Sequence, residues 1–169
     1  MPGISQENMS SKKNICFANL ILLLLMIGLY ADDELLKVEA SISPERLSRS
    51  QEGKVSLKIT VQKGVAINPQ PVFTIELSLS DALVFPKNFF TASDLEIEIL
   101  EKDGEEYLNF KEPIEIPFTV SLDAKRGWHV LEGKVKYFAC SKKEEWCLKS
   151  TTKFSASFYT RSSINKKKK

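Results

Sequence analysis

From Lys54 onward the chain alternates apolar and polar residues, and that period of two constrains its fold more than any other feature. Val55, Leu57, Ile59 and Val61 stand on one side of their stretch, with Lys54, Ser56, Lys58 and Thr60 on the other. Phe73, Ile75, Leu77 and Leu79 oppose Val72, Thr74, Glu76 and Ser78, and Leu95, Ile97 and Ile99 alternate with Glu96 and Glu98. The cleanest run is Ile114, Ile116, Phe118, Val120 and Leu122, with Glu115, Pro117, Thr119 and Ser121 between them. Leu131, Val135, Tyr137 and Ala139 form a further stripe, and Phe154, Ala156 and Phe158 the last. Successive side chains of a strand point to opposite faces, so such runs predict half-buried strands and not helices. Glu52-Gly53, Lys63-Gly64, Asn68-Pro69, Asp103-Gly104 and Arg126-Gly127 read as turns between them. Seven or eight short strands with turns about every ten residues predict an all-β, immunoglobulin-like antiparallel β-sandwich. Pro117 cannot donate to a ladder, which predicts an edge or a bulge at that point.

The ends of the chain have a different character. Lys12 and Lys13 precede an apolar run from Ile15 to Tyr30, and Ala31 then meets Asp32-Asp33-Glu34. A basic start, a short apolar stretch and a small residue before a polar sequence predict a signal peptide over residues 1–31, or an anchor where it is retained. Without those residues the chain has 22 basic and 21 acidic residues. The four terminal lysines, Lys166–Lys169, belong to a basic, unstructured tail over 161–169, and the folded body at 32–160 is slightly acidic. That balance gives no electrostatic footprint for nucleic acid. An exported chain meets an oxidising compartment. Once Cys16 leaves with the signal, the remaining cysteines are the even pair Cys140 and Cys147.

The reactive groups are few. His129 is the sole histidine and stands beside Trp128 at a strand entrance, a surface or turn position. A zinc site needs three or four Cys, His or carboxylate ligands, and no such set is clustered, so neither metal nor cofactor is expected. There is no phosphate-binding glycine loop and no dinucleotide fingerprint. Glu96, Glu98 and Glu101 on a strand face, and Glu105-Glu106 after a turn, read as solvated charges. Cys140 and Cys147 remain, with strand patterns on both sides, so the pair closes the tip of a hairpin. Opposed residues of an antiparallel pair lie within disulfide reach. Parity with Ala139 places Cys140 on the face of Lys134, Lys136 and Phe138. Counting back from Phe154 puts Leu148 inward and Cys147 outward. An outward disulfide near Lys136, Lys142, Lys143 and Lys149 has the access and cationic surroundings that exchange requires, opposed by Glu144 and Glu145. A passive staple, or metal capture by two thiolates, also fits the same residues.

The segment from Leu131 through Lys134-Val135-Lys136-Tyr137-Phe138-Ala139-Cys140, followed by Trp146-Cys147-Leu148, resembles the N-terminal periplasmic domain of the thiol:disulfide interchange protein DsbD and its stand-alone relatives. Gly64-Val65-Ala66-Ile67-Asn68-Pro69, Phe85-Pro86-Lys87 and Pro113–Phe118 extend the likeness over roughly Lys54 to Phe158. The resemblance implies an immunoglobulin-like fold over 32–160 in an exported, periplasmic protein. It implies that Cys140 and Cys147 are a redox pair exchanging electrons with a thioredoxin-like or other thiol-bearing partner, itself linked to a membrane electron transporter. Lys136, Phe138, Lys142, Lys143 and Trp146 would modulate the pair. The sequence departs from the family where Leu148-Lys149-Ser150 replace the prolines that commonly follow the second cysteine. Asn88-Phe89-Phe90 or Glu106-Tyr107 would stand for its acidic-aromatic cap loop. The rival reading is a non-catalytic binding or scaffold domain with a structural hairpin disulfide, in which Trp146, Phe138 and Phe89-Phe90 are contact residues.

Overall fold

The computed structural model describes residues 34–70, 73–102 and 104–161, so the expected signal segment and nearly all of the basic tail lie outside the described residues. The alternating stretches form strands, and the strands form two facing sheets. In one, β1 (Leu36–Ser43) pairs with β3 (Glu52–Val61), β3 with β10 (Ile114–Val120), and β10 with the short β6 (Leu83–Val84). In the other, β11 (Gly127–Ser141) is flanked on one side by β12 (Trp146–Thr160). On its other side β4 (Ala66–Asn68) and β5 (Thr74–Leu77) lie end to end along it. β7 (Phe89–Thr91) extends the β5 edge, and β2 (Arg46–Leu47) runs parallel to the end of β12. A further hairpin, β8 (Glu98–Lys102) and β9 (Glu105–Asn109), pairs with neither sheet but buries its Leu108 in the same core. The fold is an immunoglobulin-like antiparallel β-sandwich.

The core is the set that alternation selects. Val55, Leu57, Ile116 and Val120 of the first sheet and Ile75, Leu131, Val135, Ala139 and Phe158 of the second are essentially inaccessible. Burying a side chain of this size contributes about 1.5–3 kcal/mol, so two predominantly apolar inner faces account for the sandwich. One polar chain crosses between them. The Thr152 hydroxyl donates to the Leu36 carbonyl at 2.9 Å and lies 3.2 Å from the Tyr137 hydroxyl, joining β12 and β11 to β1.

Several expectations are corrected. Glu52-Gly53 is no turn but the start of β3. A Cβ on Gly53 would lie 2.7 Å from Phe118 Cζ, so glycine is there to admit an aromatic ring. Leu95 and Glu96 are not strand either. The Asp94 carboxylate accepts from the Thr91 N–H and hydroxyl, both at 2.8 Å, and curls residues 91–97 into a turn in which Glu96 has φ 51°. The strands expected to be short include two of 15 residues each, because β11 and β12 pair without a break all the way to the cysteine loop. Leu148 shares the inner face with Ala139, as parity requires, yet is 41% exposed. At that height the inner face is still covered on β11, where Ala139 and Ser141 are buried, but not on β12 beside it. Pro117 lies where β10 has only β3 beside it, since β6 pairs only with Thr119 and Val120. Val72 lies outside the described residues.

Candidate functional site

Register brings the two cysteines together. β11 and β12 pair residue for residue from Gly127 opposite Thr160 to Ser141 opposite Trp146, which sets Cys140 directly across from Cys147. Their Cα atoms are 4.1 Å apart and their sulfurs are bonded. The loop Lys142–Glu145 closes tightly. Glu145 takes φ 55°, the Glu144 N–H donates to the Ser141 hydroxyl at 3.4 Å, and the Trp146 indole N–H donates to Glu144 at 2.8 Å.

The two sulfurs differ in surroundings. Cys140 is half-buried on an inner strand, with Cys147 on one side and Ala66 of β4 on the other. Cys147 is exposed and stands on β12 where that strand has no further neighbour, because β2 reaches only Tyr159 and Thr160. Both turn away from the core face that carries Ala139 and Tyr137. Cys140 also lines an open cleft of about 840 Å³ between the β3–β4 segment and the β8–β9 hairpin, walled by Ile59, Val65, Ile67, Tyr107 and Leu108.

The cationic neighbours are more engaged than their sequence positions imply. Lys136 reaches Glu76 of β5 at 2.5 Å and Lys134 reaches the same carboxylate at 2.9 Å. Hydrogen bonds from these two ammonium groups, Lys136 foremost, hold the Glu76 carboxyl below the usual range. Lys142 pairs with Glu105 of β9 at 3.2 Å, which ties the β8–β9 hairpin to the cysteine loop. Lys143 is exposed, and among the described ion pairs it has none. Phe138 is half-buried on the face of Cys140, opposite Asn68 and Lys149, and Trp146 packs against the edge of the core.

Glu106 and Tyr107 line the same cleft as Cys140. Asn88-Phe89-Phe90, by contrast, belongs to the β7 edge, where Phe90 is buried. Ala66 beside Cys140, Glu76 on Lys134 and Lys136, Glu105 on Lys142 and Tyr107 in the cleft are placements that the cysteine motif alone does not reveal, since each comes from a strand distant in sequence. His129 is eleven residues before Cys140 on one continuous strand, about 36 Å at strand rise. It lies 2.7 Å from the Lys125 carbonyl through Nε2 and stacks on Phe158, so it does not serve the cysteines. Among the described residues no group of three or more His, Cys, Asp or Glu is placed to hold a metal.

No family model matches the chain, and no curated protein matches it. Among solved structures it is similar to the N-terminal periplasmic domain of ScsB from Proteus mirabilis, with TM-score 0.40 and 14% identity over 76% of this chain and 48% of that one. The chain therefore spans about half the length of that domain. It is also similar to a cohesin module from a family 33 glycoside hydrolase of Clostridium perfringens, with TM-score 0.38 and 5% identity over 76% of this chain and 96% of that one. Murine CRIg gives TM-score 0.29 and 7% identity over 75% and 98% of the two chains. Likenesses this distant assign no activity.

Proposed function

We propose that the chain is an exported thiol–disulfide interchange domain, acting through Cys140 and Cys147 on a thioredoxin-like or other thiol-bearing partner in the periplasm. The observation that carries this reading is a disulfide on the outer face of a hairpin, with one sulfur residue exposed at a strand without an outer neighbour. The motif resemblance to the DsbD family points the same way.

Exchange requires a thiolate to approach one sulfur in line with the bond. Cys147 is the accessible end. A partner thiolate attacks its sulfur, the Cys140–Cys147 bond breaks, and Cys140 departs with the electron pair as thiolate. Lys142, in the adjoining loop, favours that charge to the extent that Glu105 releases it. A second partner thiol attacks its own sulfur of the mixed disulfide, releases Cys147, and leaves the domain reduced and the partner oxidised. Run in reverse, the reduced domain donates two electrons.

Equilibration with a glutathione or thioredoxin couple tests the reading. An exchanging pair lies appreciably above roughly −300 mV, whereas a structural staple lies below it. Cys140→Ser leaves the exposed Cys147 as a lone thiolate that attacks the disulfide of an oxidised exported partner and releases one partner thiol. It should accumulate mixed disulfide that Cys140 is not there to resolve, and Cys147→Ser should accumulate far less. A potential below that limit, with no mixed disulfide from either variant, would leave the scaffold reading in its place.

A further inference from the structure

The end of the sandwich opposite the disulfide carries an apolar and cationic surface that exchange does not use. Three loops and two strand ends converge there. The Ser121 N–H donates to the Ala82 carbonyl at 2.9 Å, Arg49 Nε to the Ala124 carbonyl at 2.9 Å, and the Arg161 N–H to the Leu47 carbonyl at 2.7 Å. From these segments project Leu79, 88% exposed, Leu122, 72% exposed, and Trp128 and Val130 on the outer face of β11. Scattered exposed aliphatics are ordinary, but several large ones gathered at one end mark an interaction surface.

Cations and aromatics border these side chains. The Trp128 ring meets Tyr159 edge-on at 5.6 Å, the Arg46 guanidinium lies 5.6 Å from the Tyr159 ring centre, and Arg126 Nε donates to the Tyr159 hydroxyl at 3.3 Å. Arg49, Lys125 and Arg161 are exposed close by, against Glu45, Asp81 and Asp123. The described chain stops at this same end, at Arg161, and the sequence continues for eight residues that finish in Lys166–Lys169.

We propose that this end docks on the surface of an anionic phospholipid bilayer. Leu79 and Leu122, on separate loops, enter the boundary of the acyl chains. Trp128 and Tyr159 take the headgroup depth that amphipathic rings favour, and the arginines meet lipid phosphates. Two observations favour a bilayer over a folded partner. The most exposed apolar side chains sit on different loops and not on one flat face, and the basic residues lie around the same end. The surface is independent of the disulfide, so the proposal stands apart from the exchange reading.

The two tryptophans occupy opposite ends of the sandwich, which gives each end its own reporter. The chain from Glu34 to Lys169 keeps every described strand and the whole described core. With Trp146→Phe, it should sediment with phosphatidylglycerol vesicles and not with phosphatidylcholine vesicles. Its Trp128 emission should shift to the blue and be quenched by brominated acyl chains. The companion Trp128→Phe protein should bind with its Trp146 unquenched. Leu79→Ser with Leu122→Ser, both at exposed positions, should weaken binding at least tenfold. Sedimentation of the chain without tryptophan changes repeats the comparison should Trp146→Phe impair folding. Absence of vesicle binding, quenching of Trp146 in place of Trp128, or full binding by the double serine variant would overturn the proposal. Equal affinity for heparin in free solution would overturn it too, leaving a general polyanion site.

Discussion

Gly53 shows how a single side-chain position can be decided by a partner sixty-five residues away. With the Phe118 ring 2.7 Å from where a Cβ would sit, and the Leu47 side chain 3.3 Å away, Gly53→Ala must displace packed core groups. Overpacking of this kind costs about 1–3 kcal/mol, measurable as a lower midpoint in urea at unchanged slope. Gly133 is built alike, under the ring of Phe154 on the neighbouring strand. Asp94 illustrates a different residue-scale device. Its carboxyl is held down to about 2 by the Lys87 ammonium and by the Thr91 N–H and hydroxyl. Because the folded value lies below the unfolded one near 3.8, the contribution is complete above about pH 4 and lost as pH falls toward 2. Asp94→Asn should therefore flatten the acid limb of the stability curve between pH 4 and pH 2 and leave the rest of its shape alone. An undiminished acid limb in that variant would assign the dependence to other carboxylates.

Among the elements, the long pair β11 and β12 does most to organise the molecule. One half packs against the first sheet, and the other carries the disulfide, where Ala139 and Ser141 of β11 stay buried and Leu148 of β12 does not. The bond from Thr152 to the Leu36 carbonyl fastens this ribbon to β1 in the other sheet, within a fully buried setting. Thr152→Val keeps the shape but leaves a buried carbonyl unpaired, a loss of about 1–3 kcal/mol, whereas Thr152→Ser should recover most of it. Urea melts of the two variants measure the difference. The β8–β9 hairpin touches the cysteine loop through Lys142 and Glu105. Glu105→Gln should free that ammonium to stabilise a departing thiolate. Reduction by a small thiol should then be faster by a factor of roughly 2, as expected of an exposed pair, and the gain should shrink at high salt.

At the scale of the whole molecule the disulfide is a minor stabiliser. Cys140 and Cys147 are separated by 7 positions, and closing so small a ring contributes about 2–2.5 kcal/mol in the chain-entropy model. The two-sheet core is large enough to fold without it. Reduction, or Cys147→Ser, should lower the thermal midpoint by several degrees and preserve a single cooperative transition. Loss of folding on reduction would mean that the bond is a structural necessity, against the exchange reading. The two ends of the sandwich should also act separately, so reduction should leave vesicle binding through Trp128 unchanged.

The fold class was legible in the sequence because a strand displays its two faces with a period of two, and stripes such as Leu131, Val135, Tyr137 and Ala139 announce a buried side without reference to a partner. The outward direction of Cys140 and Cys147 followed from the same local parity. Tertiary structure alone decided the rest, because burial depends on what lies across from a face. Leu148 and Leu79 have core-like parity and stay exposed, Leu95 is drawn into a turn by Asp94, and Gly53 serves a ring instead of a bend. The placements of Ala66, Glu76, Glu105 and Tyr107 come only from strand pairing and hairpin placement over long sequence distances, which no local pattern encodes.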